Sequence, residues 1–192
     1  MKILLIGDSF SSSNNDPNSW ITKLSNEFSV TNLSQAGIGE YKILKQLERS
    51  KWQKYLLTIC SHTSPSRVHT KEHPLHKEGT HKNCDLIYSD IMDRTGFLNP
   101  ALKTAQGWFK YHYDDQYQID VYNLIRKKIL DSVETNYLAI SHVEAIKDFA
   151  IEPNFLDFSE VWSKHRGSIN HYTVEGNMLV YDTIISYINQ HF

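Results

Sequence analysis

Apolar side chains recur in two rhythms along this chain, and the alternation between them predicts its architecture. Ile3 to Ile6 is an unbroken apolar run between Lys2 and Gly7, as expected of a short strand buried on both faces. After the polar loop Ser11 to Asn15, Trp20, Ile21, Leu24 and Phe28 return at helical spacing, so Pro17 to Phe28 reads as an amphipathic helix. Asp16 is its expected N-cap and Pro17 its first-turn residue. Val30 to Leu33 reads as a second strand, closed by Ser34 to Gly39. Tyr41, Ile43, Leu44 and Leu47 mark a helix ending near Ser50, and Tyr55 to Cys60 is a strand apolar enough to be central. Strands and helices in this order predict a parallel sheet with right-handed crossovers.

The alternation breaks after the third strand. From Ser61 to about Asn99 the chain is polar and rich in histidine, lysine and proline. It reads as a long functional loop or insertion with a short helix near Cys84 to Met92. Ala101 to Leu130 resumes as helix in one or two pieces, with Trp108, Phe109, Tyr113 and Tyr122 as core bulk. Tyr137 to Ile140 and Phe155 to Phe158 are the expected fourth and fifth strands. Val174, Met178, Tyr181, Ile185 and Ile188 form the apolar face of a closing helix capped by Thr173. The chain of 192 residues therefore predicts one domain with an insertion at 61–99.

Composition removes several function classes. A net charge of −2 with dispersed basic residues lacks the footprint of a nucleic-acid binder. No apolar run approaches bilayer length, and Met1 to Ile6 is too short for a secretory signal, so no membrane partner is expected. Two cysteines, Cys60 and Cys84, form no disulfide framework and fit a reducing compartment. The expected location is cytoplasmic.

The candidate chemistry lies at strand ends. Ser9 follows the first strand in Gly7-Asp8-Ser9-Phe10, at the carboxyl edge of the sheet where open α/β folds bind ligands. A serine nucleophile needs a base within hydrogen-bond reach, and His171, just before the closing helix, has suitable basicity. The charged oxygen formed by attack needs preorganised donors, and the amides of Ser9 and Gly37 follow adjacent strands. Arg67, past the third strand on the same rim, is a candidate clamp for a substrate carboxylate or phosphate, or else a surface ion pair.

These residues resemble the SGNH (GDSL-like) hydrolases, serine esterases and acylhydrolases. Gly7-Asp8-Ser9-Phe10-Ser11 resembles the block that carries the nucleophile, and Asn32-Leu33-Ser34-Gln35-Ala36-Gly37 the block whose glycine amide serves the oxyanion. Asn170-His171-Tyr172-Thr173-Val174-Glu175-Gly176-Asn177 resembles the last block, with its histidine before the final helix. The resemblance implies a flavodoxin-like three-layer α/β/α sandwich with a central parallel sheet of about five strands. It also implies Ser9 and His171 as catalytic residues, Gly37 as an oxyanion donor, and no organic cofactor or metal.

Two positions depart from the family pattern. The asparagine that completes the oxyanion hole after the third strand is absent, and Thr63 stands nearest that place. Losing such a donor outright costs roughly 3–4 kcal/mol of transition-state stabilisation in subtilisin. The aspartate usual three residues before the histidine is Ser168 here. The candidates to orient His171 are then Ser168, a backbone carbonyl, or a carboxylate such as Asp157. In a serine protease, replacing the aspartate lowers turnover about 10⁴-fold through the wrong histidine tautomer.

His69, His73, His76, His81 and Cys84 are zinc-type residues, but their spacing matches no standard finger and Lys71, Lys77 and Lys82 repel a cation. They read as a solvated loop, and no metal is assigned. The expected function is ester hydrolysis through an acyl-enzyme, removing a small acyl group from a carbohydrate or similar small molecule. The alternatives are a catalytically weak or inactive relative that binds a glycan or acyl ligand, and a metal-dependent hydrolase using the histidine-rich loop.

Overall fold

The computed structural model describes residues 1–12, 16–50, 54–95, 99–143, 153–167 and 171–192. Five strands, β1 (Lys2–Gly7), β2 (Ser29–Asn32), β3 (Leu57–His62), β4 (Asn136–Ser141) and β5 (Phe155–Asp157), form one sheet. Every pairing is parallel and the order is β2-β1-β3-β4-β5. This is a flavodoxin-like α/β sandwich. The chain starts mid-sheet, moves outward to β2, then crosses to β3 on the other side of β1. The loops after β1 and β3 therefore diverge and open a crevice, and Ser9 and Thr63 follow those two strands.

The two-residue period of the strands builds the layers. Ile3, Leu5, Leu57, Ile59, Leu138 and Ile140 face α1 (Trp20–Glu27) and α7 (Val174–His191), packing on Trp20, Leu24, Val180 and Ile184. Leu4, Ile6, Cys60 and Ala139 face the opposite way, onto α2 (Glu40–Arg49) and α5 (Asp115–Ser132) through Ile43, Leu47 and Ile129. The expected apolar run Ile3 to Ile6 is buried because both faces of β1 are covered.

Element ends differ from expectation where side-chain hydrogen bonds decide them. Helix α1 is capped by Ser19, whose hydroxyl accepts the Thr22 N–H at 3.2 Å. Asp16 instead accepts the Asn18 N–H at 2.8 Å in a turn of its own. Strand β3 continues past Cys60 because its polar end is satisfied: His62 is 2.6 Å from Glu40 and 3.0 Å from the Tyr137 hydroxyl. The helical stretch after 99 is two helices, α4 (Pro100–Tyr111) and α5, the second begun by Asp114 accepting the Tyr117 N–H at 2.7 Å. A short α6 (Ser159–Lys164), which no periodicity announced, follows β5.

The segment between β3 and α4 carries the expected short helix and further structure. Val68 and Leu86 form an antiparallel bridge, Gly79–His81 is one 3₁₀ turn, and α3 (Tyr88–Met92) follows. Val68, Leu86 and Ile91 pack with Leu102, Ala105 and Phe109 of α4 as a separate core beside the sheet rim. Among the described residues, no helix is long and apolar enough to cross a membrane.

Candidate active site

The turn carrying Ser9 is held from three sides. Gly7 has φ +154, and a Cβ there would lie 2.4 Å from the Ser11 hydroxyl and 2.6 Å from Ser61. Only glycine fits. The Gln46 side chain grips it from α2, accepting its N–H at 2.8 Å and donating to its carbonyl at 3.1 Å. Asn32 of β2 donates to the Ser11 carbonyl at 2.8 Å, and the Trp20 indole of α1 donates to the Phe10 carbonyl at 3.0 Å. Ser9 itself is half-buried, and among the described residues neither its hydroxyl nor its amide N–H has a hydrogen-bond partner.

Gly37 approaches the same place from the loop after β2, with φ +75 and with Cys84 where a Cβ would collide at 2.7 Å. Its carbonyl accepts from the Asp85 N–H at 2.8 Å and from Arg67 at 3.1 Å. Its own N–H has no acceptor among the described residues. Ser9, Gly37 and Arg67 line one cavity of about 540 Å³.

Thr63, expected as an oxyanion donor, has its hydroxyl engaged elsewhere. It donates to Asp8 Oδ2 at 3.0 Å and accepts from Arg67 Nε at 3.0 Å. One hydroxyl has one proton, and here Asp8 takes it. Arg67 lines the Ser9 cavity, its Nε donating to Thr63 and its Nη1 to the Gly37 carbonyl.

Burial pushes the Asp8 carboxyl up to about 6, against the lowering pull of the Arg67 charge and the Phe10 and Thr63 hydrogen bonds. A folded-state pKa above the unfolded value means that the native state binds this proton more tightly, so stability falls as pH rises from about 4 through 6. Asp8→Asn removes this dependence. Relative to the variant, wild type is expected to gain about 1 kcal/mol between pH 7 and pH 5, as read by urea denaturation. Parallel pH profiles for the two proteins would show that Asp8 is not the group responsible.

His171 is placed by contacts of its described neighbours. Arg166 and Tyr172 form an antiparallel bridge, and the Thr173 N–H donates to the His165 carbonyl at 2.8 Å. Thr173 caps α7 as expected, accepting the Gly176 N–H at 3.2 Å. The Asn177 side chain accepts the Trp20 N–H at 3.1 Å, fixing the start of α7 to the start of α1. The His171 ring then lies 5.3 Å from that of Phe10, the neighbour of Ser9. Ser9 and His171 both line a second cavity of about 320 Å³, so Ser9 stands where two cavities meet.

No hydrogen bond joins Ser9 to His171, and the His171 ring has no hydrogen-bond partner among the described residues. Its pKa is lowered by burial and by the charge of His81, which keeps the ring neutral near pH 7. Ser168 lies outside the described residues. Asp157 ends β5 and accepts the Ser159 N–H at 2.8 Å, starting α6 rather than bonding His171.

Sequence reasoning passed over three residues here: Asp8, His142 and Tyr172. His142 follows β4 fully buried, its ring 4.7 Å from Phe10 and 5.6 Å from Phe158, stacked on both. Its Nδ1 lies 2.5 Å from the Tyr172 hydroxyl, and burial pulls its pKa to about 3. It is a neutral wall behind Phe10. Its position at the carboxyl end of a central strand was the available signal. No protein-family model matches this chain, and no curated protein matches it.

Proposed function

We propose that this chain is a serine-dependent ester hydrolase of the SGNH type. The observation that supports it best is that Ser9 and His171, from opposite ends of the chain, line one cavity, while Gly37 and Arg67 join Ser9 in the next. In this reading Ser9 Oγ attacks the ester carbonyl while His171 takes its proton. The amides of Ser9 and Gly37 and the Arg67 guanidinium hold the charged oxygen, Arg67 standing in for the missing asparagine. The tetrahedral adduct collapses, His171 returns the proton to the departing alkoxide, and the alcohol leaves. Water, deprotonated by the same imidazole, then attacks the acyl-serine and releases the acid. A small acyl group on a carbohydrate or a similar molecule is the proposed substrate, since serine, aspartate and histidine side chains line both cavities.

Hydrolysis of a panel of p-nitrophenyl esters, with Ser9→Ala as control, tests the proposal. Activity that is absent, or that survives the substitution, overturns it. A second reading has one observation in its favour: His171 lacks both a carboxylate and a bond to Ser9 among the described residues. That arrangement suits a protein that binds an acylated glycan without turning it over. Saturable binding of such a ligand by wild type, with no acid released, would select it.

A further inference from the structure

The insertion brings metal-ligating side chains to one point that their spacing does not suggest. A ligand nitrogen of His73, one of His76 and the Cys84 sulfur lie within 4.8 Å of one another. His76 Nε2 is 2.8 Å from Asp90 Oδ2, and the His76 and His81 rings are 5.8 Å apart. His81 and Cys84 also meet over Gly37: a Cβ placed on that glycine would stand 3.4 Å from His81 Nδ1 and 2.7 Å from Cys84 Cβ. His76, His81, Cys84 and Asp90 all line the cavity that Ser9 shares.

His73 belongs to the cluster in a different way. Its Nδ1 accepts the N–H groups of Leu75 at 3.1 Å and His76 at 3.2 Å. A ring nitrogen that accepts carries no proton, so the proton of the neutral ring sits on Nε2 and that nitrogen has no lone pair for a metal. Among the described residues this buried Nε2 has no hydrogen-bond partner, and it faces Asp90 Oδ2 at 3.5 Å. His73 stands behind Asp90, where outer partners of metal-binding carboxylates stand.

We propose that His76, His81, Cys84 and Asp90 bind a zinc-class divalent ion at the wall of the substrate cavity, with His73 positioning Asp90. An imidazole, thiolate and carboxylate set selects a borderline-soft ion over magnesium or calcium. Ligand atoms on one zinc stand about 3.3–3.6 Å apart given bonds of about 2.0–2.3 Å. A ring nitrogen of His76 already stands within 4.8 Å of the Cys84 sulfur and His76 Nε2 within 2.8 Å of Asp90, so these three adjust by about 1–2 Å, and the exposed His81 side chain turns in to complete the set. A convergence on Asp90 alone would be an ion-pair network; Cys84 and His81 have no part in such a network. The lysine objection weakens too. Lys77 faces Glu72 at 3.8 Å, and Lys42 of α2 is paired with Asp85 at 2.6 Å. Arg94 holds Asp90 Oδ1 at 2.9 Å, leaving Oδ2 toward the other ligands.

Cobalt titration of chelator-treated protein tests the site without reference to turnover, so its outcome and that of the esterase assay are separate. One equivalent of Co²⁺ is expected to give a thiolate-to-cobalt charge-transfer band, and Zn²⁺ to displace it. Cys84→Ser abolishes the band, and His76→Ala weakens binding at least tenfold. His73→Ala keeps the band but weakens affinity about 10–100-fold, as loss of an outer partner does. Should Cys84→Ser fail to fold, Asp90→Asn serves instead, with at least a tenfold loss of Co²⁺ affinity expected. The absence of a charge-transfer band in wild type overturns the proposal. So does a band that survives Cys84→Ser, or Co²⁺ affinity unchanged in His76→Ala or Asp90→Asn.

Discussion

Alanine at position 9 is expected to lower kcat toward p-nitrophenyl acetate by about 10⁴- to 10⁶-fold, the range seen when a serine hydrolase loses a catalytic side chain. The change deletes one oxygen from a half-buried side chain whose hydroxyl has no partner among the described residues. Stability should therefore move by no more than about 0.5 kcal/mol, as for substitutions that break no packed or bonded group. A large kinetic effect beside a small thermodynamic one is what separates a nucleophile from a structural serine. His171→Ala should fall comparably, and the double variant should be little worse than either alone, because the two groups act as one unit. The pH profile adds a check. The proposed mechanism needs neutral His171, whose pKa lies below the ordinary histidine value through burial and the charge of His81. The acid limb of kcat/KM should then fall below about 6.5, and an apparent pKa above that value would point to another base.

The middle of the sheet was legible because β1, β3 and β4 are short, largely apolar runs covered on both sides, as parallel strands are. Its ends were less legible. His62 extends β3 only because Glu40 and Tyr137, distant in sequence, satisfy its ring. The small core of the insertion was hidden for a related reason: Val68, Leu86 and Ile91 are isolated apolar residues with no period, and they meet only in three dimensions. At the site, Ser9, Gly37, Arg67 and His171 could be placed on one rim from strand order alone. The direction of the Thr63 hydroxyl could not, since it depends on a buried Asp8 that reads in sequence as an ordinary turn residue. The histidine-rich stretch shows the same limit. His73 and Cys84 are buried, not solvated, and it is the fold of 68–92 that brings them together with His76.

Arg67→Met is the second large effect, a fall in kcat of about 10²–10³-fold with KM for a neutral ester changed only a few-fold. That split follows from a donor that meets charge formed only in the transition state. Lysine should restore part of the loss, because a point charge cannot bond Thr63 and Gly37 together as the guanidinium fork does. Thr63→Val is the discriminating companion. With its proton on Asp8, Thr63 acts only by holding Asp8 and Arg67 in place, so its loss should cost less than that of Arg67. A Thr63→Val defect larger than the Arg67→Met defect would return the oxyanion role to the threonine hydroxyl. An Arg67→Met loss under threefold would remove Arg67 from the oxyanion, and a rise in KM confined to esters bearing a carboxylate or phosphate would make it a substrate clamp instead. Removing Arg67 has one further consequence. Its charge is the largest influence holding the Asp8 pKa down, so the variant should carry a protonated Asp8 further toward neutral pH than wild type does.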